Sequence, residues 1–178
     1  MGRVSKAQAQ ENRKRIVETA SRLFRERGVA GVGVADVMAE VGLTHGGFYK
    51  QFASKEALVA EAVGLAFADL EESLQDQDRD DFVRGYLSPA HRDNPGPGCP
   101  AAGFAGDLAH DQGARADREA GAAVDAYTKG IGRYAEELGS LADVATLVGA
   151  MILARATAGT ELSDRILDEV RAKLVNGA

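Results

Sequence analysis

Apolar residues recur at steps of three and four along nearly the whole chain, and no stretch alternates as a strand would. Ile16, Ala20, Leu23 and Phe24 share one face of a helix predicted from about Gln10 to the glycine at position 28, behind a polar, disordered start over residues 1–9. Val34, Val37, Met38 and Val41 mark a short second helix after the loop Gly31-Val-Gly33. Gly42 gives a tight turn, Thr44 caps a third helix, and Phe48 and Phe52 fall on its inner side at i, i+4. Ser54 caps a long fourth helix to about Leu74, with Leu58, Ala62, Leu65 and Phe67 inward. A polar, acidic segment follows over residues 75–81, then weak helical signal from Phe82 to Leu87. Ser88 to Gly98 holds three of the four prolines and reads as a loop. Cys99-Pro100 opens a helix to about His110. Ala114–Leu138 carries Val124, Tyr127, Ile131, Tyr134 and Leu138 at helical steps, and Leu141–Thr157 is apolar nearly all round. Ser163–Val175 closes the chain with Ile166, Val170 and Leu174 on one face. The pattern predicts an all-α fold: a three-helix head over residues 1–53 and a larger helical body over residues 54–178.

The net charge of −6 conceals an asymmetry. Residues 1–55 hold ten Lys and Arg against five Asp and Glu, a surplus of five positive charges, which leaves the remaining chain at −11. A basic head on an acidic body suits a nucleic-acid-binding head. No apolar run reaches the length of a membrane span and the start is polar and basic, so neither a membrane segment nor a secretory signal is expected, and a cytoplasmic location is. The single cysteine, Cys99, excludes an intrachain disulfide framework and a cysteine-rich metal site. No metal, cofactor or catalytic constellation is expected.

The stretch Leu43-Thr-His-Gly-Gly-Phe-Tyr-Lys-Gln-Phe52, followed by Ala-Ser-Lys-Glu-Ala-Leu58, carries the chemistry. It has the parts of a DNA recognition helix: short, apolar on one side, basic and aromatic on the other. Gly46-Gly47 leaves its outer face bare, at about 1 kcal/mol per glycine in a helix. His45 and Lys50 then reach furthest toward base edges, and Tyr49 and Lys55 are placed for phosphates. These residues, with the upstream Ile16-x3-Ala20-x2-Leu23-Phe24-x3-Gly28, resemble the signature of the TetR family of transcriptional regulators over residues 10–60. The resemblance implies an all-helical homodimer whose head binds a palindromic double-stranded operator. Its body would bind a small-molecule effector that releases the DNA. Carried onto this chain, the DNA contacts are Thr44, His45, Gly46, Tyr49, Lys50 and Lys55. Gly98-Cys-Pro100 and Leu147–Ala156 further resemble a subset of the family. One departure is Val32-Gly33, where family members commonly carry a hydroxyl residue able to touch phosphate.

For the body, the expected effector pocket draws on Tyr86, Cys99, Phe104, Tyr127 and Met151. The expected dimer interface draws on Val144, Val148, Met151, Ile152, Ile166 and Val170, as a four-helix bundle between copies. Cys99 admits two readings. At a helix start its thiolate is favoured, giving a reactive sensor of electrophiles; as a small apolar residue it only packs. The reading as a whole is a repressor and not an enzyme. An activator, or a ligand-binding or enzymatic helical domain with a vestigial head, are the alternatives.

Overall fold

The computed structural model describes residues 5–75, 77–110 and 118–176. Ten helices are found there and no strand: α1 (Lys6–Arg27), α2 (Val34–Glu40), α3 (His45–Phe48), α4 (Lys55–Gln75), α5 (Arg79–Tyr86), α6 (Pro89–Asp93), α7 (Pro100–His110), α8 (Arg118–Leu138), α9 (Leu141–Ala156) and α10 (Glu161–Asn176).

Local chemistry accounts for where these helices begin and end. The Ser5 hydroxyl accepts the Gln8 N–H at 3.1 Å, so α1 starts at Lys6 and not at Gln10. It stops where Gly28 donates its N–H to the Phe24 carbonyl. Gly33 caps α2 and donates to the Asp36 carboxylate at 2.7 Å. Gly42, at φ 70°, turns the chain back so that the Leu43 N–H reaches the Met38 carbonyl. The third helix is shorter than its sequence pattern. Two adjacent glycines weaken it, and after Phe48 it relaxes into turns that carry Gln51 and Phe52.

Three elements lie outside the expected bounds. Asp78 accepts the Asp80 N–H and starts α5 three residues before Phe82. Helix α6 occupies part of the expected proline loop: Ser88 accepts the His91 N–H, and Pro89 sits at the first helical position. The last helix starts at Glu161, two residues before Ser163. The start expected at Ala114 lies outside the described residues, as do residues 1–4 of the expected disordered start.

Helices α1 to α3 form the head. Helix α4 leaves it, packs back on α1, and runs along α8 in the most extensive helix pairing of the molecule. Helices α9 and α10 pair with each other, α9 packs on α8 and α10 on α5. Helix α7 touches α1, α4, α8 and α9. One core passes through all of this, from Ile16, Phe24 and Phe48 through Leu58, Val63 and Phe67 to Tyr134, Leu147, Met151 and Leu167.

Helix α9 explains its own excess of apolar residues. Val144, Leu147, Ala150, Met151 and Ala154 face inward, while Leu141, Ile152 and Leu153 face out, as does exposed Leu162 of α10. Val144 and Met151, expected at a dimer interface, are therefore core residues of the single chain. Val148, Ile166 and Val170 are half-buried at the edge of that core.

The α4–α8 pairing depends on Gly130. A Cβ there would stand 2.2 Å from the Phe67 ring. Overpacking of this kind costs about 1–3 kcal/mol, against about 1 kcal/mol regained in helix propensity. Gly130→Ala is expected to lower the thermal unfolding midpoint by a few degrees, and adding Phe67→Leu to recover part of the loss, measured by circular dichroism.

Candidate nucleic-acid interface

The head holds α3 from behind with aromatic packing. Phe48 and Phe52 are buried and stacked, 5.3 Å between ring centroids. Arg13 of α1 lies over the Phe52 ring at 4.1 Å and donates to the Gln51 carbonyl and the Glu61 carboxylate, tying α1 to the turn after α3 and to α4. Arg15 donates to the Val41 carbonyl at 3.0 Å, and Arg22 links Glu26 of α1 to Glu40 of α2. Much of the positive charge counted in the head thus serves to assemble it.

The opposite face of α3 is open. Thr44, His45, Gly46, Tyr49 and Lys50 line it, and Tyr49 is 63% exposed. His45 and Tyr49 meet edge to face at 5.7 Å. Thr44 has the backbone of a cap, but its hydroxyl does not cap the helix. The two glycines differ. A Cβ at Gly46 would meet nothing within 4 Å, whereas one at Gly47 would touch Met38. Only Gly46 belongs to the bare outer surface. Lys55 departs from expectation: its ammonium donates to the Val29 carbonyl at 2.6 Å and lies 5.9 Å from the Phe24 ring, so it braces the loop after α1.

In the body, the expected pocket residues do not line one cavity. Phe104 and Met151 are sealed in the core. The Tyr127 hydroxyl donates to the Ala101 carbonyl at 2.7 Å, and its ring meets Phe67. Tyr86 and Cys99 do border an open cavity of about 600 Å³, whose walls come from α1, α4, α5 and the loop 96–100.

His91, an ordinary polar residue by sequence pattern, organises this region. Its Nδ1–H donates to the Tyr86 carbonyl at 2.7 Å, and its Nε2 accepts the Cys99 N–H at 3.0 Å. Both bonds together require the neutral ring. Burial, together with nearby Arg155, lowers its pKa below the ordinary 6.5. Arg155 in turn donates to the His91 and Arg92 carbonyls, closing the end of α6. Burial raises the Cys99 thiol, and the neighbouring Tyr86 hydroxyl and the backbone N–H groups of Ala102 and Ala101 offset this only in part. Of the two readings of Cys99, its burial favours packing over a thiolate held at a helix start.

Residues 16–62 match the family model described as bacterial regulatory proteins, tetR family. The head is similar to that family over these residues. The HTH-type transcriptional regulator TtgR of Pseudomonas putida is 44% identical over 59 residues, covering 33% of this chain and 28% of TtgR. The HTH-type transcriptional repressor DhaR of a Mycobacterium species is 29% identical over 102 residues, covering 54% of this chain and 52% of DhaR. The chain spans from 18% to about half the length of the curated relatives first matched. Beyond the head, nearly all of the backbone is similar to that of a TetR-family transcriptional regulator from Agrobacterium tumefaciens. The TM-score is 0.67 at 17% identity, covering 95% of this chain and 98% of that one. That likeness extends the fold to the body. Among the described residues no single helix is long and apolar enough to cross a membrane, and no cluster of His, Cys, Asp and Glu is placed to hold a metal ion.

Two measurements check this region. Iodoacetamide at pH 7 is expected to alkylate Cys99 more slowly than a free-peptide cysteine, and at the peptide rate in denaturant. Rapid alkylation of the folded protein would contradict the buried assignment. Because the folded pKa of His91 is depressed, the unfolded chain binds the extra proton first, so stability is lost as pH falls below about 6.5. Unfolding midpoints taken from pH 7 to pH 5 should fall in the wild type, and fall less in His91→Gln.

Proposed function

We propose that this protein is a transcriptional regulator that represses from a palindromic DNA operator as a homodimer and is released by a small-molecule effector. The observation that carries the reading is the open face of α3, where Gly46 leaves the backbone bare between His45 on one side and Tyr49 and Lys50 on the other. A helix with this surface can approach a major groove closely, with Lys50 and His45 at base edges and Thr44 and Tyr49 on phosphates. Lys55 contributes by holding Val29 and, through it, the approach to α2. The match of residues 16–62 to the tetR family and the repressor name of DhaR support the direction of regulation.

The dimer face follows from what α9 leaves uncovered. Leu141, Ile152 and Leu153 are 61%, 40% and 57% exposed, with Leu162 of α10 at 52%. Exposed apolar groups of this size call for a partner, and a second copy of α9 and α10 forms an isologous four-helix contact. Release is linkage: an effector lowers operator affinity by its preference for the dimer spacing that DNA does not select.

The test is footprinting of the purified protein on the DNA upstream of its own coding region, with fluorescence anisotropy on any protected fragment. Lys50→Ala is expected to reduce discrimination at particular operator positions by about 1–3 kcal/mol. Ile152→Asp with Leu153→Asp is expected to give monomers in sedimentation and to lose most operator affinity. Protection at no site, with only salt-sensitive non-specific binding, would favour a ligand-binding domain with a vestigial head. Protection with increased transcription would mark an activator.

A further inference from the structure

The cavity of about 600 Å³ behind α1 has two polar groups that the chain itself answers only in part. The first is Arg25. Its Nε donates to the Gly96 carbonyl at 2.7 Å, and no carboxylate forms an ion pair with it among the described residues. Its stem is clamped by α7, where a Cβ on Gly103 would stand 2.7 Å from Arg25 Cγ. The guanidinium is thus fixed in place and largely withdrawn from water, and it keeps its charge. Asp69 and Glu26 act on it only from beyond ion-pair distance, and a desolvated cation held off from its counter-charges is costly until something pairs with it directly. The second group is Tyr86, 5% exposed, whose buried hydroxyl has the Cys99 thiol beside it and no nitrogen or oxygen partner among the described residues. A buried polar group in this state costs stability until an acceptor reaches it.

Of the remaining polar residues of the wall, Gln77 is exposed and the Ser73 hydroxyl donates to the Leu70 carbonyl at 2.7 Å. Arg22 is engaged by Glu26 and Glu40, and both ring nitrogens of His91 are occupied. Asp69 is the single carboxylate of the lining and sits exposed at the rim. Between these groups the surface is apolar, from Leu70, Phe82 and Pro97.

We propose that this cavity binds an organic carboxylate with an apolar body, its anionic end on Arg25 and an oxygen within reach of the Tyr86 hydroxyl. The inference deepens the regulator reading, on which its role as the effector site rests. Arg25 belongs to the helix that carries the head, and Tyr86 and Leu70 belong to the body. An occupant held by both fixes the position of α1 relative to α4 and α5, which is the differential contact that linkage requires.

Isothermal titration calorimetry on the full-length, DNA-free protein tests the site, with hexanoate, octanoate and decanoate as probes and octan-1-ol and octylamine as controls. At least one carboxylate is expected to bind ten-fold or more tightly than either control. Arg25→Met should lose at least ten-fold and Tyr86→Phe about three-fold, with far-ultraviolet circular dichroism unchanged. If Arg25→Met does not fold, Arg25→Lys replaces it: the charge stays but the planar fork goes, and a loss of several-fold is expected. Failure of all three carboxylates, tighter binding of octylamine, or undiminished binding by the Arg25 variant would overturn the site. The role is read separately by anisotropy on a protected DNA fragment. Carboxylate binding with unchanged DNA affinity would overturn the effector role and leave the site standing. Absence of any specific DNA binding would sink the regulator reading without touching the calorimetry.

Discussion

The close approach of α4 and α8 at Phe67 and Gly130 is the constraint on which the rest of the structure depends. Helix α4 is the long element shared by head and body, and its inner side chains Leu58, Ala62, Val63, Ala66 and Phe67 are all buried. The first of these complete the packing of the head. The last meet α8, whose missing side chain at position 130 lets the Phe67 ring lie against the helix backbone. The same ring faces Tyr127 at 5.6 Å, and Tyr127 in turn holds the first turn of α7 through Ala101. A single contact therefore sets the distance between α4 and α8 and, through α7, the wall against which α1 rests.

Polar groups do a different job from this apolar axis. Arg92 bridges α6 to Ser163 and Asp164 of α10, and Ser163, itself buried, donates to the Ala154 carbonyl. Arg155 closes the carbonyls of α6 from the side of α9. His91 fixes the approach of Cys99 to α7. These bonds add little area, but they decide which backbone ends face which helices, and they place the loop 96–100 over the cavity.

The head is legible in the sequence because its signals are local. A serine or glycine cap, a glycine stop and apolar residues at helical steps each act within one helix, and the bare face at Gly46 is open in the folded chain. The signals for α5 and α6 are equally local, in Asp78 and in Ser88-Pro89, but the density of prolines and acidic residues around them masks the helical period. Side-chain partners chosen across the fold are not legible. Lys55 turns toward Val29, twenty-six positions away; Arg13 reaches Gln51 and Glu61; Cys99 is buried by elements whose packing no spacing reveals. The inward face of α9 cannot be told from its outward face by pattern, since apolar residues occupy both, and this is why Val144 and Met151 pass for interface residues in the sequence.

The unbroken core from Ile16 to Leu167 also limits how this chain can be taken apart. Proteins built from separable modules allow a reading head to be grafted onto a new sensing body. Here a graft at Ser54 would cut between the two halves of one hydrophobic interior. A transplanted α4 would arrive with Phe67 projecting and no glycine on the new body to receive it, and α1 would lose the α7 surface that clamps Arg25. Chimeras of this head call for carrying α4, α7 and α8 along as part of the head.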